Sequence, residues 1–182
     1  MQAPNSDYFE FFELPRALSL DLKNLEKRFY ALSRQLHPDL FSRKNAREQE
    51  YSLEATAILN DAYRVLKDPV ARALYVLKQE GFDVGEQTTK DVAPELLEEV
   101  FELNMALEEW RMGDSAAIPQ LEAARVRFGA MRDELDENLQ RKFAEWDHSQ
   151  DRETLGAVRA LLNRRKYVTN LIDKASHVPD RV

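Results

Sequence analysis

The sequence predicts an all-α protein with an N-terminal helical hairpin and a C-terminal three-helix bundle. Apolar residues recur every three or four positions over most of the chain, which is the period of a helix with one buried face. The chain has only 5 Gly, and its 43% hydrophobic and 32% charged residues suit long amphipathic helices better than a turn-rich β fold. Prolines and N-capping residues interrupt the periodic stretches, so separate helices are expected.

Capping residues and prolines place the first helices. Asp7 can cap a short helix that runs through Leu14, before Pro15 ends it. Asp21 can cap a longer helix, which must end before Pro38 because the residue before a proline is pushed out of the helical region. The apolar stripe of this longer helix consists of Leu22, Leu25, Phe29, Leu32 and Leu36.

A polar loop from Leu40 to Arg47 separates this helix from the next. The following stripe predicts a helix that runs antiparallel to the first one if the loop is short. Its members are Tyr51, Ala55, Ile58, Leu59, Ala62, Val65 and Leu66. Asp68 and Pro69 form an N-cap followed by proline at the first helical position, so a third helix is expected through Leu77.

The stretch from Gly81 to Ala93 contains two Gly and few large apolar residues, which is typical of a linker. We therefore expect domains at 1–80 and 94–182, joined by a linker at 81–93. Pro94 opens a helix that ends near Gly113, where glycine suits the left-handed residue after a helix. Two further stripes, from Leu121 to Trp146 and from Leu155 to Ala175, complete the bundle.

Charge is divided unevenly between the two parts of the chain. Residues 1–80 hold 12 Lys/Arg and 12 Asp/Glu, whereas residues 81–182 hold 14 and 21, so the net charge of −7 comes from the second part. This asymmetry supports two domains and argues against nucleic acid as a partner, because binding to phosphates needs a basic surface. No segment reaches membrane-spanning length and no targeting segment is visible at the N-terminus, so we expect no membrane partner and a cytoplasmic protein.

The sequence offers little for catalysis or for metal binding. It has no Cys, three His in total, and no HExxH, GxSxG or Walker-type pattern. Its many carboxylates lie on helical surfaces, where they usually form a solvated face. We therefore predict no catalytic residue, no metal site and no cofactor.

The tripeptide His37-Pro38-Asp39 lies between the two antiparallel helices of the first domain. On the helix before it, Lys23, Lys27 and Arg34 fall opposite the leucine stripe and form a basic face. Each feature has an ordinary alternative, since charges opposite a core stripe are often merely solvated and the tripeptide could simply end the helix and cap a turn. The pattern that follows comprises Ile58, Asn60, Ala62, Tyr63, Val65, Leu66, Asp68, Pro69 and Arg72.

With this arrangement, the region from Asp7 to about Leu77 resembles a J domain. The resemblance implies that the tripeptide and the basic face bind a DnaK-class chaperone and accelerate its ATP hydrolysis. Charges on such a face steer the encounter more than they supply affinity. Pro38 would fix the loop so that the Asp39 carboxylate is preorganised for a cationic partner group.

The helix that begins at Pro94 carries two apolar stripes. The core stripe consists of Leu96, Val100, Leu103, Leu107 and Trp110. A second set, Leu97, Phe101 and Met105, lies about 140° away and is flanked by Glu98, Glu102 and Glu109. A bundle helix needs only one buried face, so this extra patch indicates a protein-binding surface. The alternative is that it packs against the first domain or a second copy.

The whole chain resembles the HscB family of J-type co-chaperones of iron–sulfur cluster assembly, through its DYFEFFELP start, its J domain and its acidic helical bundle. The resemblance implies that the bundle binds the scaffold protein IscU and delivers it to the chaperone HscA. Client contacts would fall on Leu97, Phe101 and an aromatic of the last helix, placed at Tyr167. Glu98, Glu102 and Met105 occupy neighbouring positions.

Three alternatives bear on this function. A general folding co-chaperone would carry a Gly/Phe-rich linker and zinc-binding Cys repeats, and a degenerate J-like scaffold would lack an intact His-Pro-Asp loop. Neither description fits the chain. A J-domain co-chaperone that recruits a DnaK-type chaperone to a different protein client remains the alternative function.

Overall fold

The structure is a computed structural model that describes residues 7–83 and 94–176, and all regular secondary structure in these ranges is helical. The helices are α1 (Tyr8–Phe11), α2 (Leu22–Leu36), α3 (Pro38–Phe41), α4 (Ala46–Lys67), α5 (Pro69–Gln79), α6 (Pro94–Arg111), α7 (Ile118–Ser149) and α8 (Arg152–Ser176). A short 3-10 helix, Ser115–Ala117, precedes α7. The prediction of an all-α fold with an N-terminal hairpin and a C-terminal bundle is confirmed.

The chain forms two compact units. The first comprises residues 1–84 and 143–150, and the second comprises residues 85–142 and 151–182. The first seven of the residues 143–150 form the end of α7 and Gln150 follows it, so this helix contributes to both units. Most of the predicted linker lies outside the described residues, and the boundaries at 1–80, 81–93 and 94–182 stay a prediction.

Helices α2 and α4 form the antiparallel hairpin of the first unit. The Phe29 ring stacks on Tyr63 at 4.2 Å, while the Leu36 carbonyl at the end of α2 accepts a hydrogen bond from the Ser52 hydroxyl at 2.7 Å. Contacts thus move toward the start of α4 as α2 proceeds, as antiparallel packing requires. Leu25 of α2 is fully buried between these helices and their neighbours.

Two local features of the first unit differ from the sequence-based expectation. The first helix ends at Phe11 and not at Leu14, because Glu13 adopts a left-handed φ of 51° before Pro15 is reached. The stretch after His37 is a helical turn, α3, where the sequence predicted the loop to start at Leu40. Pro38 causes this, since its fixed φ both ends one helix and starts the next.

Helix α1 closes the first unit from its N-terminal side. Asp7 caps it as predicted, with its carboxylate accepting from the Phe9 N–H at 2.7 Å. Phe9 and Phe12 are buried, and the Tyr8 ring stacks on Tyr75 of α5 at 4.5 Å. Burial raises the pKa of Tyr75 above its ordinary value, and its hydroxyl oxygen accepts a hydrogen bond from the Tyr8 N–H at 2.9 Å.

The second unit is built on the predicted core stripe of α6. Leu96 and Leu103 are 2% and 1% exposed, and they pack in one cluster with Phe128 of α7 and Leu171 of α8. Helix α6 stops at Arg111, and Gly113 follows with a φ of 94°, which confirms the predicted left-handed glycine. In the described part of the chain, no helix is long and apolar enough to cross a membrane.

Candidate functional site

The His37-Pro38-Asp39 tripeptide forms the junction of α2 and α3. His37 follows α2 and caps α3, and its Nδ1 accepts a hydrogen bond from the Asp39 N–H at 3.3 Å. Pro38 occupies the first turn of α3, where its missing N–H is not needed. The Asp39 side chain is 89% exposed. The Asp39 carboxylate is therefore exposed to solvent, while His37 and Pro38 fix the backbone that carries it.

The Nδ1 atom of His37 can interact either with the backbone N–H of Asp39 or with its carboxylate, but not with both at once. The Asp39 Oδ2 lies 3.6 Å from the same Nδ1 that accepts the backbone N–H. A ring nitrogen that accepts a hydrogen bond carries no proton, so an ion pair through this nitrogen would require the backbone hydrogen bond to break. In the structure this nitrogen is engaged by the backbone N–H of Asp39. In this geometry the Asp39 carboxylate remains available to a partner group.

Hydrogen bonds from α4 hold the C-terminal end of α2, directly before the tripeptide. The Leu36 carbonyl accepts hydrogen bonds from Ser52 Oγ at 2.7 Å and from Thr56 Oγ1 at 3.2 Å. This carbonyl belongs to the last turn of α2, where no intrahelical donor remains. The buried Ser52 thus satisfies a group that would otherwise be left without a partner. The tripeptide is anchored through α4 as well as by its own cap.

The basic face of α2 is exposed as predicted. Lys23, Lys27 and Arg34 are all exposed, and none of them forms an ion pair with another residue in 7–83 or 94–176. Arg28 differs from them, because its Nη1 donates to the Phe12 carbonyl at 2.8 Å and to Glu13 at 3.1 Å. The positive charge of the other three residues is therefore presented to solvent on the helix that leads to His37.

Arg72 fixes the segment from which α2 starts. It is 5% exposed and donates from Nε to the Leu18 carbonyl at 2.9 Å and from Nη1 to the Leu66 carbonyl. The Asp147 carboxylate of α7 accepts from the N–H groups of Leu18 and Ser19 at 2.5 and 2.8 Å. Burial lowers the pKa of Arg72, and the negative charge of Asp147 opposes this effect. The sequence pattern includes Arg72, but it does not show that Arg72 and Asp147 both form hydrogen bonds with the backbone of Leu18.

The second apolar stripe of α6 is exposed in the structure. Leu97, Phe101 and Met105 are 58%, 64% and 49% exposed, in contrast to the buried Leu96 and Leu103 on the same helix. Met112 lies on the same side of the helix axis, just beyond the last residue of α6, and is 79% exposed. Its spacing of seven residues from Met105 could have extended the predicted patch.

An acidic rim borders the exposed stripe. Glu98 and Glu102 are both exposed, and Arg127 of α7 lies 3.4 Å from Glu102 and 3.8 Å from Glu99. Glu99, Glu102 and Arg127 line a groove between α6 and α7, and Met105 also lines it. Arg127 therefore restrains Glu102, whereas Glu98 forms no ion pair with another described residue. No group of three or more His, Asp or Glu side chains in the described ranges is arranged to hold a metal ion.

Tyr167 differs from the other candidate client contacts. It comes from α8, is partly buried, and packs against the core cluster of the second unit. The three residues of the α6 stripe share one exposed face, but Tyr167 has a structural role whatever else it contacts. A truncation of this residue therefore cannot test binding alone.

Comparison with known proteins follows the same division of the chain. Residues 7–75 match the family model described as the DnaJ domain, and residues 92–176 match the one described as the HSCB C-terminal oligomerisation domain. The mouse iron-sulfur cluster co-chaperone protein HscB is 32% identical over 171 residues, which cover 94% of this chain and 68% of the mouse protein. The chain belongs to the HscB family.

Two further relatives of the HscB family are similar over most of the chain. A co-chaperone protein HscB homolog of Neisseria meningitidis is 35% identical and covers 79% of this chain and 85% of its own length. The structure of chaperone HscB from Vibrio cholerae has a TM-score of 0.73 and 30% identity, over 96% of this chain and 98% of that one. The His-Pro-Asp junction thus lies in the DnaJ match, and α6 and α8 lie in the match to the HscB C-terminal domain.

Proposed function

We propose that the chain is a J-domain co-chaperone of iron–sulfur cluster assembly, and not itself an enzyme, which binds the scaffold protein IscU and delivers it to the DnaK-class chaperone HscA while stimulating the ATPase of HscA. The observation that carries the proposal is the exposed Asp39 carboxylate on a junction that His37, Pro38 and α4 hold. Membership of the HscB family supports the pairing of this junction with a client-binding bundle.

The two proposed surfaces act on different partners. The basic face of Lys23, Lys27 and Arg34 steers an acidic chaperone surface toward the tripeptide, because attraction between unlike charges raises the rate of encounter. Asp39 then accepts a hydrogen bond from a cationic group of the chaperone, and its exposed position lets this happen without unfolding the junction. ATP is bound and hydrolysed by the chaperone alone.

The client surface is proposed to be the exposed stripe of α6. Leu97 and Phe101 would supply the apolar contacts, with Met105 beside them and the acidic rim of Glu98 and Glu102 setting the orientation of the client. Tyr167 would contribute from α8, next to the core that it packs against. The alternative function keeps the same chaperone-binding site but has a different protein client in place of IscU.

The test is a titration of the full chain into purified HscA, with and without IscU, that measures the steady-state ATPase rate. We expect stimulation by the chain alone and a larger, saturable stimulation when IscU is present. Calorimetry of the chain with IscU should give a saturable binding isotherm. Stimulation without any IscU binding would favour the alternative client, and no stimulation of HscA or of DnaK would contradict the proposal altogether.

A further inference from the structure

Two aromatic side chains of the described residues are exposed, one in each unit. Phe101 is 64% exposed and lies in the α6 stripe, and Tyr30 is 56% exposed and lies on α2. The other aromatic residues of 7–83 and 94–176 are buried or partly buried. An exposed large aromatic side chain leaves apolar area in water, and such residues are enriched at the centres of binding interfaces.

Tyr30 lies in the middle of the basic face. At about 100° per residue, Lys23, Lys27, Tyr30 and Arg34 fall within an arc of about 60° on α2, and His37 directly follows the last turn of this helix. The face thus runs continuously from the first turn of α2 to the tripeptide, with the tyrosine at its centre. Cationic side chains stand before and after it along the helix, and all three of them are exposed.

The Tyr30 ring is restrained before any partner binds. It contacts the Phe29 ring edge-on, with centroids 5.6 Å apart and an interplanar angle of 66°. Phe29 is in turn stacked on Tyr63 of α4 at 4.2 Å. A side chain that is already held loses less conformational entropy when it is buried in an interface.

We propose that Tyr30 is the apolar anchor of the chaperone-binding face, an assignment that rests on the proposed function. Its partner surface is acidic, because three exposed cationic side chains surround the ring against the single carboxylate of Glu26, and it contains an apolar depression that accepts the ring. The phenol ring supplies buried area in the centre, and Lys23, Lys27 and Arg34 form a charged rim that contributes mainly to the rate of encounter. Tyr30 therefore sets affinity, whereas Asp39 sets the stimulated rate.

The experiment titrates full-length variants into the DnaK-class chaperone and measures ATPase rate against concentration at several salt concentrations. Tyr30→Ala should raise the half-maximal concentration by about tenfold, as expected for loss of an interface anchor, and leave the maximal rate and the salt dependence as in wild type. Tyr30→Phe should retain most of the affinity. Lys27→Ala should instead weaken the salt dependence.

Leu53→Ala is the matched control, since Leu53 is 60% exposed on α4 and lies outside this face. It should behave as wild type in every measurement. If the wild-type chain does not stimulate the chaperone, the proposed function fails. If it does and Tyr30→Ala has the same half-maximal concentration as wild type, only this inference fails. A lowered melting temperature of Tyr30→Ala, a lowered maximal rate, or an equal effect of Leu53→Ala would also overturn it.

Discussion

A single carboxylate carries the proposed signal to the chaperone. Asp39→Asn keeps the shape of the side chain and removes its charge, at a position that is 89% exposed. A hydrogen bond to a charged group contributes about 1.5 to 3 kcal/mol, so we expect stimulation of the chaperone ATPase to fall by at least about tenfold. The melting temperature should change little, because the side chain is almost fully exposed. Steady-state ATPase assays beside thermal melts check both expectations.

His37→Gln provides a related control for the tripeptide. A glutamine oxygen can accept the Asp39 N–H that the imidazole Nδ1 accepts in the structure. If His37 serves only as this cap, the variant should retain most of the stimulation. If the imidazole also contacts the chaperone, stimulation should fall as it does in Asp39→Asn. Wild-type stimulation by the Asp39 variant itself would rule out the proposed mechanism.

Arg72 is a structural residue that the sequence could not explain. Its guanidinium donates to the carbonyls of Leu18 and Leu66 from two different nitrogens, and it is buried. Arg72→Lys keeps the charge but offers one ammonium group in place of a planar fork, so one carbonyl should lose its donor. We expect a loss of about 1 to 3 kcal/mol in the free energy of unfolding. Urea denaturation measures this, and a loss below about 0.5 kcal/mol would contradict the role assigned to the fork.

At the scale of helices, α6 carries two apolar faces that should respond differently to truncation. Leu97→Ala and Phe101→Ala should each weaken IscU binding by about 1 to 3 kcal/mol and leave the melting temperature nearly unchanged, because both side chains are exposed. Leu103→Ala on the buried face should instead destabilise the second unit by about 2 to 5 kcal/mol. Calorimetry with IscU and thermal melts of all three variants provide the comparison.

Two outcomes contradict the assignment of the α6 stripe to the client site. One is wild-type binding of IscU by Leu97→Ala and Phe101→Ala, and the other is a melting temperature lowered in these variants as in Leu103→Ala. For Tyr167 the suitable variant is Tyr167→Phe, and not Tyr167→Ala. The ring packs against the core, so the phenylalanine variant tests the hydroxyl group without creating a cavity.

Helices could be predicted from the sequence wherever burial has a regular period. The core stripe of α6 and the caps Asp7 and Asp68 are as expected, because each depends on residues that are close in the chain. The helical turn after His37 does not follow from the sequence pattern, since Pro38 both ends one helix and begins the next and the pattern indicates only the first role. The support of Leu36 by Ser52 was also missed, because it joins residues on different helices.

At the scale of the whole molecule, hydrophobic periodicity does not determine which elements pack together. The stripe of α7 predicted that Phe143 and Trp146 would be buried, and they are 1% and 2% exposed. It did not predict which residues they would pack with. Residues 143–150 group with the first unit, where the Arg16 guanidinium lies 6.0 Å from the Trp146 ring centroid. A hydrophobic pattern identifies a buried face but not the element that covers it.

A fragment of residues 1–84 should therefore be less stable than the same residues in the full chain. The fragment lacks Phe143, Trp146 and Asp147, and loss of a single large buried aromatic costs about 3 to 5 kcal/mol. The amides of Leu18 and Ser19 lose the Asp147 carboxylate and should exchange with solvent faster. Hydrogen exchange on the fragment, the full chain and full-length Asp147→Ala measures this, and equal protection at Leu18 in all three would contradict it.

The path of the chain also determines how the protein can be recombined with its relatives. Because the chain enters the first unit twice, no single crossover point yields two complete units. A hybrid that receives a foreign bundle after residue 83 would also receive a foreign counterpart of residues 143–150. The transplant that keeps the first unit whole also carries residues 143–150, the end of α7 and Gln150, through junctions at 142/143 and 150/151. The exchangeable module is therefore discontinuous in sequence, although it is compact in space.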